Sequence, residues 1–131
     1  MDGDVTLWVP ARSGYVHLVR TVAAGLAAHL DLDVDAIEDL RLATTEAASL
    51  LLAVLPGARS LRLQLAPGDD ELRITLSADG AGAAAEMEDF ATSLPWQVLK
   101  ALTGDPTVIR TDTELIVTFT KPTYGAVRTW R

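Results

Sequence analysis

A chain of 131 residues with no cysteine and two histidines has few side chains able to do chemistry. Thiol catalysis, zinc ribbons and iron–sulfur sites are excluded. His17 and His29 stand twelve residues apart on one helical segment, too far to share a metal ion, so neither is a ligand candidate and no metal site is expected. What remains is the chemistry of carboxylates and cations. Glu46 falls beside Ala43, Leu50 and Ala53, which at 100° per residue form a second apolar stripe nearly opposite the main apolar face of its helix. A helix apolar nearly all round is covered on both sides. Glu46 also reads as a surface carboxylate near Arg41 or Arg59. Asp79 opens Asp79-Gly80-Ala81-Gly82, where an acid before glycine starts a turn. Arg20 lies beside the core stripe of the preceding helix, either solvated or turned toward a partner.

These residues must be held by a small set of elements. Val5, Leu7 and Val9 alternate with Thr6 and Trp8, which predicts a strand with one buried face, closed by Pro10. Val16, Val19, Ala23, Leu26 and Leu30 recur at spacings of three and four and predict a helix over 13–30. A second helix follows the acidic turn at 31–35, with Asp35 as the expected N-cap and Glu38 completing a capping box. Ile37, Leu40, Ala47, Leu51 and Val54 form its main face, and Pro56-Gly57 ends it.

Leu61, Leu63 and Leu65, then Leu72, Ile74 and Leu76, alternate on either side of Pro67-Gly68-Asp69-Asp70, which predicts a hairpin. The stretch 79–89 reads as a loop. Ser93 can cap a helix reaching Thr103, with Pro95 in its first turn and Trp96, Leu99 and Leu102 inward. A second hairpin is expected over 107–110 and 114–120, with Leu115, Val117 and Phe119 inward, and a tail over 121–131 lying loosely on the surface. The expectation is one domain over 1–131, its core at about 4–120, and no internal linker. The order strand, helix, helix, strand, strand, helix, strand, strand defines an α+β, two-layer α/β sandwich: a mostly antiparallel sheet with helices on one face.

Eighteen acidic against eleven basic residues leave a net charge of −7, and 49% of the chain is hydrophobic. Such a chain lacks the basic face that drives phosphate binding, so direct nucleic-acid binding is not expected. A basic protein partner suits the charge. Neither a cationic leader nor a membrane-length apolar run is present in the sequence, and the cytoplasm is the expected compartment, with no membrane partner. Trp8 and Trp130 are candidate interface anchors.

The stretch VTLWVPARSGYVHLVRTVAAGLAAHLDLDVDAIEDLRLATTEA resembles the anti-sigma-factor serine kinases of the RsbW type, of the histidine-kinase-like ATPase (Bergerat-type) fold. Ile37-Glu38-Asp39-Leu40-Arg41-Leu42-Ala43 running into Thr45-Glu46-Ala47 carries the likeness most specifically. The resemblance implies that Glu46 stands where the family has a catalytic base. Leu50 then stands where the family has an asparagine for magnesium, four residues on and on the same helix face. A leucine offers no oxygen to a hard cation. The family's adenine-binding box maps on Asp79, Gly80 and Gly82, out of register by one at the first glycine. The glycine-rich phosphate box should lie just before Trp96, where Thr92-Ser93-Leu94-Pro95 stands instead. Two of three nucleotide boxes are therefore broken.

The resemblance thus implies a degenerate branch: an anti-sigma factor that sequesters a sigma factor as a homodimer and is released by an anti-anti-sigma protein, with no cofactor. Arg20 falls where the family presents a cation to these partners. The alternative it implies is an active serine kinase, using ATP and magnesium to phosphorylate the anti-anti-sigma protein.

Overall fold

The computed structural model describes residues 3–80 and 92–123. Among them are five strands in one antiparallel sheet, ordered β1-β2-β3-β5-β4. The strands are β1 (Val5–Pro10), β2 (Ser60–Pro67), β3 (Glu71–Asp79), β4 (Gly104–Arg110) and β5 (Glu114–Pro122). The helices are α1 (Val16–His29), entered through a 3₁₀ turn at Ser13–Tyr15, α2 (Val34–Val54) and α3 (Leu94–Leu102). The two-layer α+β sandwich read from the alternation and helical periods is the observed fold.

Alternation explains the core. Leu61, Leu63, Leu65, Leu72, Ile74, Leu76, Leu115, Val117 and Phe119 are all fully buried on one sheet face. Helix α2 lies over β3 and β5, with α1 on one flank and α3, which reaches β4, on the other. Leu40, Ala47 and Leu51 meet the sheet side, while Ala43 and Leu50 are also buried. Helix α2 is thus covered beyond its main face, as its sequence requires. Ser93 caps α3 by accepting from the Trp96 amide, with Pro95 in the first turn.

The α1–α2 corner corrects the expected cap. Asp31 adopts φ 63°, the left-handed conformation that usually calls for glycine. Its amide donates to the Ala28 carbonyl and the Leu32 amide to that of Ala27, which forms a Schellman motif. This places Asp33, not Asp35, in the extended N-cap position, its Oδ1 accepting from the Ala36 amide at 2.8 Å. Asp35 falls in the first turn, and Glu38 meets Arg41 instead of closing a capping box.

Two other boundaries differ. Strand β4 begins at Gly104, through an irregularity between Gly104 and Thr107 that includes Asp105 at φ 47°. Strand β5 continues to Pro122, so Lys121 and Pro122, expected in the tail, pair with Leu72 and Glu71. Lys121 Nζ donates to Asp39 Oδ2 at 3.0 Å and to the Leu102 carbonyl at 2.8 Å, tying β5 to α2 and to the end of α3. Trp130 lies outside the described residues.

Candidate functional site

Glu46 sits on α2 between buried Ala43 and Leu50, half-buried itself. Among the described residues it makes no hydrogen bond or ion pair, and neither Arg41 nor Arg59 reaches it. Arg41 instead places its Nε 3.5 Å from Glu38 Oε1, an ion pair that does not reach hydrogen-bond geometry. One helical turn beyond Glu46, Leu50 is 6% exposed and belongs to the core. The side chain at the position of the expected metal ligand is hydrocarbon, packed among hydrocarbon.

Asp79 ends β3, where the sheet gives its carboxylate specific partners. Its Oδ1 accepts from the backbone amides of Arg59 at 2.9 Å and Ser60 at 2.8 Å, with Ser60 Oγ at 3.5 Å. These donors favour the charged form and hold the carboxyl below its usual 3.8; the Ser60 amide lowers it most, partly opposed by desolvation. The expected turn is therefore a latch: Asp79 fixes the entry to β2. Gly80 continues the ladder by donating to the Thr113 carbonyl. A Cβ added to Gly80 would lie 3.0 Å from Leu55 Cδ2, so the strand end is seated directly on the cap of α2. Leu55 follows Glu46 by nine residues, roughly 13 Å along a helix axis. Gly82 lies outside the described residues.

Arg20 is half-buried in α1 and lines a groove of about 410 Å³ with Glu38, Asp39, Arg41, Leu42 and Thr45. A second groove of about 400 Å³ continues along the same helix pair, lined by Thr21, Ala24, Gly25, Ala28, Ile37 and again Arg41. Glu46 lines neither. Leu42, which lines the first groove, precedes Glu46 by four residues, so the expected catalytic carboxylate borders the groove that holds Arg20 without lining it. Arg41, which joins both grooves, was not singled out by the sequence; its spacing of four from Ile37 on an amphipathic helix is the signal that could have found it.

On the other sheet face, Trp8 is 61% exposed and Arg62 lies over its ring at 5.2 Å. Arg62 also reaches Ser77 Oγ at 3.2 Å and Glu114 Oε2 at 3.4 Å. His17 is exposed, with Nδ1 2.9 Å from the Gly14 carbonyl oxygen. Among the described residues no three histidines, cysteines or carboxylates gather as a metal site, and no helix is long and apolar enough to cross a membrane.

Fold and grooves define a two-layer α/β domain with a mixed-charge helical surface. No family model matches the chain. Among curated proteins it is similar to the anti-sigma-F factor RsbW of two Mycobacterium tuberculosis strains, each 38% identical over 104 residues, covering 77% of this chain and 58% of the relative. The chain is a relative of the RsbW-type anti-sigma factors, as α1 and α2 suggested. It spans a little over half the length of these relatives.

Proposed function

We propose that this chain is an anti-sigma regulatory domain of the cytoplasm that acts by binding a sigma factor and keeping it from its DNA. The fold would be that of the histidine-kinase-like ATPases, with the nucleotide site no longer used. The observation that carries this reading is Leu50. A core leucine stands where the resemblance places a magnesium ligand, and the neighbouring acid of the adenine box, Asp79, already spends one oxygen on two backbone amides. These residues do not fit a magnesium nucleotide, so no phosphoryl transfer is derived from them.

Sequestration needs only a surface. A sigma factor carries a basic DNA-binding face, and a chain of net charge −7 attracts it over long range. The grooves between α1 and α2, with Arg20 and Arg41 on their walls, offer close contacts in which local acids of the partner are selected. An anti-anti-sigma protein competing for the same grooves would release the sigma factor without phosphorylation.

The second reading, an active serine kinase, draws on one observation: Glu46 is half-buried and unpaired among the described residues. Calorimetric titration with magnesium and ATP separates the two. The expected result is no heat from the parent. Heat that disappears in Asp79→Ala would remove the degenerate reading, and phosphate transfer to the anti-anti-sigma protein that is lost in Glu46→Ala would then establish the kinase. In parallel, Arg20→Glu should weaken capture of the cognate sigma factor at least tenfold while leaving the fold intact.

A further inference from the structure

The two carboxylates of the first groove are engaged differently. Glu38 is neutralised within its own helix by Arg41, one turn along. Asp39 is held from far away in the sequence: its Oδ2 accepts from Lys121 Nζ at 3.0 Å. Its Oδ1 has no hydrogen bond or ion pair among the described residues. Arg20 and Arg41 line the same groove, yet neither comes within ion-pair distance of Asp39.

Position on α2 explains the double exposure of this acid. Asp39 stands three residues before Leu42, so one carboxylate borders the groove and also meets the lysine of β5 that holds the last carbonyl of α3. The clasp opens more easily from one side than from the other. Lys121 is 14% exposed and keeps the Leu102 carbonyl at 2.8 Å, whereas Asp39 is 42% exposed and water screens its share of the pair. Drawing Asp39 away therefore leaves the ammonium with a good acceptor.

Charge chooses what can draw it away. A chain of net charge −7 gathers basic proteins, and in this groove Asp39 is the acid with an oxygen to spare. We infer that Asp39 receives a cationic side chain of a basic partner protein, and that Lys121 is its competitor within the chain. The inference rests on the sigma-factor reading for the identity of that partner. In the free chain Lys121 holds the carboxylate; in the complex the partner's cation takes it and Lys121 retains the Leu102 carbonyl. The competitor also sets selectivity. An ammonium offers no more than Lys121 already gives, whereas a guanidinium engages both carboxylate oxygens at once, so the residue admitted is arginine.

Calorimetric titration of the full chain with the cognate sigma factor tests this through the signs of the effects. Asp39→Asn should weaken capture about tenfold. Lys121→Met should strengthen it about threefold, because the competitor is gone. Lys100→Met removes the same charge from an exposed position on α3 and should not match that gain. In the double variant Asp39→Asn with Lys121→Met, the gain should vanish. A clasp with a purely structural role predicts the reverse, a weaker capture by Lys121→Met, and thermal unfolding verifies that each variant is folded at the assay temperature. Weaker capture by folded Lys121→Met, an unchanged affinity in Asp39→Asn, or a gain that persists in the double variant overturns the inference.

A triarginine peptide gives a readout that needs no sigma factor. Followed by carboxyl-carbon NMR, Asp39 should respond to the peptide ahead of Asp112, an exposed acid on the β4–β5 turn, and at lower peptide concentration in Lys121→Met. Equal responses at Asp39 and Asp112 would overturn the site. Selective response of Asp39 in a chain that captures no sigma factor would uphold the site and remove the sigma-factor reading alone.

Discussion

Asp79 Oδ1 lies 2.8 Å from the Ser60 backbone nitrogen, so a side chain at the end of β3 completes hydrogen bonding at the start of β2. The acid that the resemblance assigns to adenine recognition is in this fold a strand latch. Its charge is worth most where water is partly excluded and two amides converge on one oxygen.

Removing that latch should cost stability in a pH-dependent way. Asp79→Ala is expected to lose about 2 kcal/mol near neutrality, because it strips a charged acceptor from two backbone donors. The folded-state carboxyl is held below 3.8, so its contribution is full above that pH and is lost as pH falls through the lowered folded value. Urea unfolding followed by tryptophan fluorescence should show a constant gap between parent and Asp79→Asn from about pH 5 to 7, closing below about pH 3.8. A gap that widens on acidification contradicts the latch.

Restoring an oxygen at position 50 should not restore a metal site. Leu50→Asn replaces a side chain 6% exposed with an amide whose partners are hydrocarbon, at a cost of about 3 kcal/mol. Thermal unfolding should show the loss, and addition of magnesium with ATP should not raise the midpoint of the variant. A midpoint that rises with both ligands together would show that a pocket persists beneath Leu50.

The corner between α1 and α2 separates two neighbouring acids. Asp33→Ala removes the observed N-cap and should cost about 1 kcal/mol, whereas Asp35→Ala should change stability by at most about 0.5 kcal/mol. Asp31→Gly should gain up to about 1 kcal/mol, since glycine adopts the left-handed conformation without strain and removes an acid from the negative end of α1. Chemical denaturation of the three variants ranks them. Equal losses at Asp33 and Asp35 would reinstate the capping box.

The sheet was legible because period-two alternation fixes which leucines turn inward, and every one of Leu61, Leu63, Leu65, Leu72, Ile74 and Leu76 did so. Helix α3 was legible through Ser93 and Pro95, which act within one turn. The cap of α2 was misread because a Schellman motif with aspartate in the glycine position leaves no composition signal. Of the site, the sequence put Leu50 where the resemblance implies a metal ligand, and its burial in the core follows from the apolar residues around it on α2. The engagement of Asp79 was not legible, since its donors lie nineteen and twenty residues away and meet it only once β2 and β3 are in register. Lys121 was placed in the tail for the same reason, its partner Asp39 being eighty-two residues away.

That distant contact gives the last prediction. Lys121 is 14% exposed and serves two acceptors, but they are unequal: Asp39 is 42% exposed and solvent screens its share, whereas the Leu102 carbonyl is a helix-end acceptor at 2.8 Å. Lys121→Met keeps the apolar stem and removes the ammonium, leaving that carbonyl without its donor, so about 2 kcal/mol should be lost. Asp39→Ala should cost less than about 1 kcal/mol, because the lysine retains the carbonyl. In a double-mutant cycle the Asp39 effect should largely vanish once Lys121 is methionine. Added salt should shrink the Asp39 contribution and leave most of the Lys121 contribution, which is the signature of a helix-end clasp rather than of a surface ion pair.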